Sequence, residues 1–403
     1  MPTRHTQCVL LLAAGIGALT PGAAAQPDVG EFHVLSTSLE QTTSRARSLT
    51  TNGIVLLDEL DLPRLRPWSE ILVALRPERH AFNPPAQVVP TPELVGWAVL
   101  SDGQRHRVWP TPPESANPDV LDVTLQDGTQ WAIPLEHLRA LVFFDAPANA
   151  GPQLDDTVRL ANGDAITGFI ETIASDVVVD TTRVPLDRVA SISLANPPEP
   201  ATHTLVDLSD GTVLGVSELA PGEGGRVALT MALTGAEGET SQPTIHVNPE
   251  DILALRPANP DARLLPMASL RLLEVTPLAG RRWTPDPSVS NDRAPAALRP
   301  ISYPGPMEVV YELPDGAAHF HAVATLDRAL WADVRVHLLV ETPGGGRTPL
   351  TDIALDQDRP QATLRAAIPD DGVRLVLRIE PGARGPIQDR VTLTHALLVV
   401  TNN

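Results

Sequence analysis

Phe320-His321-Ala322-Val323-Ala324-Thr325-Leu326-Asp327 alternates strictly along an extended chain: Phe320, Ala322, Ala324 and Leu326 share one face, while His319, His321 and Thr325 share the other. Val334, Val336, Leu338 and Val340 repeat the inward pattern; Val373, Leu375, Leu377 and Ile379 make a third such strand, and Val391 to Val400 adds a last apolar one. A strand with one apolar face must bury it against a second layer, so two packed antiparallel sheets are expected here.

Upstream, Ile133-Pro134-Leu135-Glu136-His137-Leu138-Arg139-Ala140-Leu141 matches Val184-Pro185-Leu186-Asp187-Arg188-Val189-Ala190-Ser191-Ile192 in apolar, acidic and small character. Val247 to Leu255 is a third copy and Trp68 to Leu75 a looser fourth. Apolar runs before these segments are broken by Asp102-Gly103, Asp127-Gly128, Asn162-Gly163 and Asp210-Gly211, hairpin dipeptides in which both residues tolerate positive φ. About five short strands per unit suggest small barrels that cover their own edges. The pattern, a strand, an Asp-Gly turn, a strand and a closing Pro-Leu-Asp/Glu segment, resembles tandem SH3-like or Sm-like barrels. Glu136, Asp187 and Glu250 read as turn residues accepting backbone hydrogen bonds more readily than as ligand contacts.

The expected fold class is therefore all-β, with tandem small β-barrel-like repeats followed by a two-sheet β-sandwich. The expected organisation is a signal segment at 1–25, a β-rich unit at 26–81, barrel repeats at 94–147, 153–197 and 203–257, and the sandwich at 267–403. Proline-rich stretches at Ala81 to Pro92, Ala146 to Pro152, Asn196 to Thr202 and Pro257 to Pro266 read as stiff linkers. Thr37 to Thr51, in the first unit, reads as helical.

Arg4, the apolar run Val9 to Leu19 and Ala23-Ala24-Ala25 before Gln26 read as a cleaved secretory signal, which predicts an exported protein, periplasmic, cell-surface or extracellular. Cys8, the one cysteine, lies inside it, so no disulfide is expected after cleavage. All 30 basic residues are arginine against 49 acidic ones, for a net charge of −19, which argues against nucleic acid and anionic membranes as partners. No segment is long and apolar enough to insert as a membrane helix.

In chain order, Leu270 to Pro277, Val309 to Pro314, the Phe320 strand, Val334 to Val340, Val373 to Ile379 and Asp389 to Val400 resemble the NPCBM family, a carbohydrate-binding module of the glycoside hydrolase family 98 type. The resemblance spans roughly Met267 to Val400 and implies a galactose-binding-like jelly roll with a sugar ligand. Asp327 matches the acidic residue after the Phe-x-Ala strand, and Asp389 matches the one that opens the final strand. The chain departs from the family at Tyr303-Pro304-Gly305-Pro306-Met307-Glu308, which lacks the usual histidine, at Thr325-Leu326 in place of a glycine, and at Leu393 in place of an aromatic.

Sugar recognition needs a flat aromatic face and a few planar polar groups. Trp331, between two strands, is the expected platform, with Asp327, Arg328, Asp389, Arg390 and Arg384 as hydrogen-bonding groups. The alternative is that Trp331 covers a sheet edge and the aspartates cap turns. No cofactor is expected. A structural calcium would draw on Asp352, Asp356 and Asp358, whose spacing fits no defined calcium loop. His319, His321 and His337 form a weaker metal set, and Gly344-Gly345-Gly346 reads as a hairpin loop.

The mature chain carries no Gly-x-Ser-x-Gly elbow, Cys-His pair or His-Glu-x-x-His motif, and its adjacent carboxylates point apart on an extended chain. These observations predict a non-catalytic, exported glycan- or polysaccharide-binding protein. A structural or assembly protein with protein partners is the alternative, and a glycoside hydrolase stands third.

Overall fold

A computed structural model describes residues 29–37, 40–76, 95–110, 117–143, 155–234, 240–259, 262–289, 299–327, 332–385 and 389–401. The signal segment with Cys8, the linkers at 81–92 and 146–152, Arg328 and Trp331 lie outside them. The described residues form strands and three-residue 3-10 turns, so the protein is all-β.

The first unit runs β1 (Gly30–Ser36), β2 (Gln41–Thr50), β3 (Gly53–Leu57), β4 (Pro63–Pro67) and β5 (Ile71–Leu75). The second runs β6 (Gly96–Leu100), β7 (Arg105–Pro110), β8 (Val120–Leu125), β9 (Gln130–Pro134) and β10 (Leu138–Val142). The third comprises β11 (Thr157–Leu160), β12 (Ala165–Thr167), β13 (Ile170–Ile173), β14 (Asp176–Val179), β15 (Thr182–Pro185) and β16 (Val189–Ser193). The fourth comprises β17 (Thr204–Leu208), β18 (Val213–Pro221), β19 (Val227–Met231), β20 (Leu233–Thr234), β21 (Thr240–Ser241), β22 (Thr244–Val247) and β23 (Ile252–Arg256).

In each antiparallel unit the last strand follows a 3-10 turn and returns to pair with the first, as β1–β5, β6–β10, β11–β16 and β17–β23, while β13–β15 of the third unit form a sheet of their own and β20–β21 of the fourth a separate pair. The repeat is exact at the level of backbone hydrogen bonds. The N–H of the residue opening the first hairpin turn donates to the last carbonyl of the 3-10 turn: Thr37 to Glu70, Ser101 to His137, Ala161 to Arg188 and Ser209 to Asp251, at 2.8–3.0 Å. The 3-10 turns carry no side-chain cap, so it is this backbone contact that the acidic repeat segment marks.

At the Asp-Gly and Asn-Gly turns only the glycine takes positive φ (87–94°), contrary to the expectation for both residues. Each turn is a type I turn followed by a left-handed glycine. The Asp or Asn instead accepts the N–H two residues on, as in Gln104 N to Asp102 Oδ1 at 3.0 Å and Thr212 N to Asp210 Oδ1 at 2.9 Å. The Thr37–Thr51 stretch is not helical: Gln41–Thr50 is β2, because its alternate residues Ala46 and Ser48 enter the barrel core while Arg45 and Arg47 face out.

Closing strands also join units. β10 pairs with β16, and β5 pairs with β23, so edges that would be exposed are covered. Arg76, just after β5, donates to the Ile252 and Pro249 carbonyls of the fourth unit at 3.0 and 2.6 Å, with its guanidinium 5.0 Å from the Phe32 ring centre. The Asn196–Thr202 segment is pinned to the second unit, with Asn196 donating to the Leu135 and Leu138 carbonyls at 2.7 Å.

The C-terminal region is a two-layer sandwich of jelly-roll type. Its strands are β24 (Ala262–Pro266), β25 (Leu272–Pro277), β26 (Ser288–Val289), β27 (Ile301–Pro304), β28 (Met307–Glu312), β29 (Ala317–Leu326), β30 (Val334–Glu341), β31 (Arg347–Leu355), β32 (Gln361–Ala367), β33 (Arg374–Pro381) and β34 (Arg390–Thr401). One sheet is ordered β26-β27-β34-β29-β32 with β24 also on β34, and the other is β25-β28-β33-β30-β31. Part of the stretch read as a linker, Ala262–Pro266, is therefore a strand of the sandwich.

Phe320, Ala322, Ala324, Val336, Leu338, Val340, Leu375, Leu377 and Ile379 are at most 0% exposed between the sheets. Val373 is not among them: it precedes β33 and is 37% exposed. The protein's two tyrosines meet in this core, Tyr303 Oη to Tyr311 Oη at 3.0 Å, which satisfies two hydroxyls that burial would otherwise leave unpaired.

The outer face of the first sheet docks on the barrels. Leu397 and Val399 of β34, with Ala262 and Leu264, pack on Leu35, Leu72, Val73, Leu75 and Ala254. His33, His321 and His395 line one narrow pocket at this junction with Leu35, Val73 and Leu397.

Candidate functional site

Four loops meet at one end of the sandwich. The β25–β26 loop is tied to the β27–β28 turn by Leu278 N to Pro306 O at 3.3 Å, Arg281 Nη1 to Gly305 O at 2.8 Å and Thr284 Oγ1 to Pro304 O at 3.4 Å. The β33–β34 loop is tied to the segment before β30, because the Asp333 carboxylate accepts the N–H groups of Ala383 at 2.7 Å and Arg384 at 3.0 Å. Gly382 permits that approach, since a Cβ there would collide with the Asp333 carboxylate. Asp327 completes the end: its N–H donates to Arg390 O at 3.0 Å and its Oδ1 accepts from Thr392 Oγ1 at 3.2 Å.

Of the residues singled out from sequence, Asp327, Asp389, Arg384 and Arg390 are brought together here, whereas Trp331 and Arg328 lie outside the described residues. Asp389 is 1% exposed, and neither carboxylate oxygen has a hydrogen-bond partner. Burial pushes its pKa up to about 6, the Asp333 charge adds to the rise, and Arg281 partly offsets it. Asp389 sits beneath this end and not on its surface. Arg384 and Arg390 are exposed.

Sequence reasoning missed Trp283. It lies between the anchored residues Arg281 and Thr284, and it is 72% exposed. The legible signal was a tryptophan in Arg281-Arg282-Trp283-Thr284-Pro285-Asp286-Pro287, a stretch too rich in proline to continue a strand.

The other candidate sets do not assemble. His337 belongs to the opposite sheet from His319 and His321 and stands 3.5 Å from Glu380. Asp356 accepts the N–H groups of Asp358 and Arg359 at 2.9 and 2.8 Å, which makes it a turn cap. Among the described residues no group of three or more His, Asp or Glu could hold a metal ion. Gly344-Gly345-Gly346 is the β30–β31 hairpin loop, closed by Thr342 N to Gly346 O at 2.9 Å.

No protein-family model matches the chain, and no curated protein does. Among solved structures it is similar to the CBM51-2 and INT domains of Clostridium perfringens ZmpB, at 13% identity and a TM-score of 0.28, over 44% of this chain and 37% of that one. It is also similar to CBM51 from Clostridium perfringens GH95 in complex with methyl-galactose, at 14% identity and a TM-score of 0.27, over 34% of this chain and 99% of that one. A third is CsCBM6-3 from Clostridium stercorarium in complex with cellobiose, at 14% identity and a TM-score of 0.21, over 35% and 92%. The chain spans well under half of the first of these. TM-scores of this size carry no functional argument.

Proposed function

We propose that this chain is an exported, non-catalytic glycan-binding protein whose ligand sits at the loop end of the sandwich, with the barrel units as scaffold. The observation that carries the reading is Trp283, a large aromatic left 72% exposed on a loop anchored at both sides. A solvent-facing indole on a held loop offers the flat apolar face that a sugar ring stacks on. The NPCBM-like order of strands points the same way. Asp389 lacks the exposure that a general acid acting on a glycosidic bond needs.

A structural or assembly role has one observation in its favour. Leu60, Leu62 and Leu65, 77%, 54% and 50% exposed, project from the β3–β4 hairpin, and among the described residues β4 pairs only with β3. The deciding test is a glycan array probed with the full chain and with Trp283→Ala. Saturable binding lost in the variant supports the glycan reading, and silence across the array favours the assembly role.

A further inference from the structure

We propose that the dock between the first unit and the sandwich is an acid-sensitive latch, in which three imidazoles closed into one pocket drive the two parts apart when they take up protons. His33, on β1, comes from the barrel; His321, on β29, and His395, on β34, come from the sandwich. His33 and Leu35 stand on the outer face of β1, because Phe32 and Val34 fill the barrel core. His321 stands on the outer face of β29, between Phe320 and Ala322, which are buried between the sheets. His395 is aimed by a bulge. The inward residues of β34 change from Val391 and Leu393 to Ala396 and Leu398, the register with β29 shifts between His321 and Val323, and His395 takes a left-handed φ of 50°. That conformation is strained for a residue other than glycine, and here it accompanies a third imidazole in the pocket.

The docked pocket disfavours positive charge. Leu35, Val73, Leu75 and Leu397 form its apolar wall, and Gln41 adds an amide. His321 is 4% exposed with neither ring nitrogen in a hydrogen bond of good geometry, while His33 Nδ1 meets the Thr43 hydroxyl at 2.7 Å. Around the pocket, Arg365 of β32 lies opposite His321, Arg263 lies between the docked residues Ala262 and Leu264 of β24, and Arg76 follows β5. On β23, Arg256 is paired with Asp207. Of the acids, Glu31 on β1 lies opposite Arg45 of β2, and Glu40 precedes Gln41. His319 is held below its ordinary value by desolvation and by Arg365; His33 is lowered by desolvation, and Glu31 offsets this in part. As pH falls below 6.5 an opened junction takes up protons that the docked one refuses, so docking is favoured above that value and lost below it. The chain passes from the barrels to the sandwich between Arg256 and Ala262, and opening about that step uncovers the apolar face of Leu397 and Val399.

The test is small-angle X-ray scattering of the full chain from about pH 7.5 to about pH 5, a range that stays above the ordinary carboxylate values, with far-UV circular dichroism on the same samples. The expected result is a reversible rise in the radius of gyration with an unchanged strand signal. The rise should be absent in His33→Gln/His321→Leu/His395→Asn, where asparagine accepts the left-handed backbone. His33→Gln alone, at a half-buried position, should move the midpoint to lower pH, and it carries the test if the triple variant does not fold. Leu397→Ala weakens the apolar contact and leaves the imidazoles in place, so it should move the midpoint to higher pH. Asp389→Asn, beside the opposite end of β34, should leave it where it is. A constant radius in a folded chain overturns the proposal, and so does an equal rise in the histidine variants. A strand signal lost together with the rise shows unfolding in place of release, and overturns it as well.

Discussion

The sandwich meets the barrels at one face and water at one end, and the two places leave an ionisable side chain buried with opposite consequences. At the junction His321 is 4% exposed, and neither ring nitrogen has a hydrogen-bond partner of good geometry. Desolvation lowers its pKa below 6.5, the nearby His395 backbone raises it in part, and Arg365, opposite it in β32, lowers it further. At the loop end Asp389 is buried and its pKa is raised. Burial without a partner favours the neutral form in both cases, so the base resists acid and the acid resists base. The junction face and the loop end therefore respond to pH in opposite directions.

The largest break in this comparison is mechanical. Leu397, 1% exposed in the junction core, should cost about 2–5 kcal/mol when changed to alanine, read as a lower urea midpoint. Next come the two pH responses. Above pH 6.5 His321 is neutral whether the chain is folded or not. As pH falls below that value the unfolded chain takes up a proton that the folded chain refuses, so stability declines. His321→Leu should flatten the decline, measured as melting temperature between about pH 7 and about pH 5.

Asp389 acts in the opposite direction. Between the unfolded value of 3.8 and about 6 the folded chain holds the proton more tightly, so its contribution falls as pH rises through that window. Asp389→Asn should therefore leave stability near the wild-type value at about pH 4 and raise it at about pH 7. Equal effects at both values would remove the contrast between the two regions. The smallest effect is expected at Trp283: Trp283→Ala should change stability by less than about 0.5 kcal/mol while abolishing ligand retention, which separates a binding residue from a packing one.

Much of the strand content was legible because alternation records one-sided burial. In β30 the inward residues Val334, Val336, Leu338 and Val340 are buried and Arg335 between them is exposed. The run Ala396-Leu397-Leu398-Val399-Val400 in β34 is buried at every position, because the second face is covered by the barrels. A continuous apolar run in the sequence carries that information, and so does Ile71-Leu72-Val73-Ala74-Leu75 in β5, which lies across the same junction. What the runs do not say is which two strands face each other.

The candidate site was legible only in part. Asp327 and Asp389 were found as acidic residues at strand ends, but their roles depend on loops distant in sequence: Asp327 accepts from a residue 65 positions away, and Asp389 is covered at an end closed by Arg281 and Gly305. Trp283 escaped because nothing local distinguishes an exposed indole from a buried one. Trp131, in a strand, is 6% exposed and packs edge-on against His106 at 5.1 Å, whereas Trp283 faces solvent.

The sequence by itself determined the all-β class, the recurring closing segment, and the turn glycines of the second to fourth units, since each follows from contacts within a few residues: periodicity of two, a repeated short pattern, a left-handed glycine. Only the tertiary structure decided that β5 and β23 pair, that the sandwich lies on them, that His321 is buried, and that Trp283 is left exposed. Those outcomes depend on which covered faces meet, and burial and charge are properties of the assembled surface, with no trace in the local pattern.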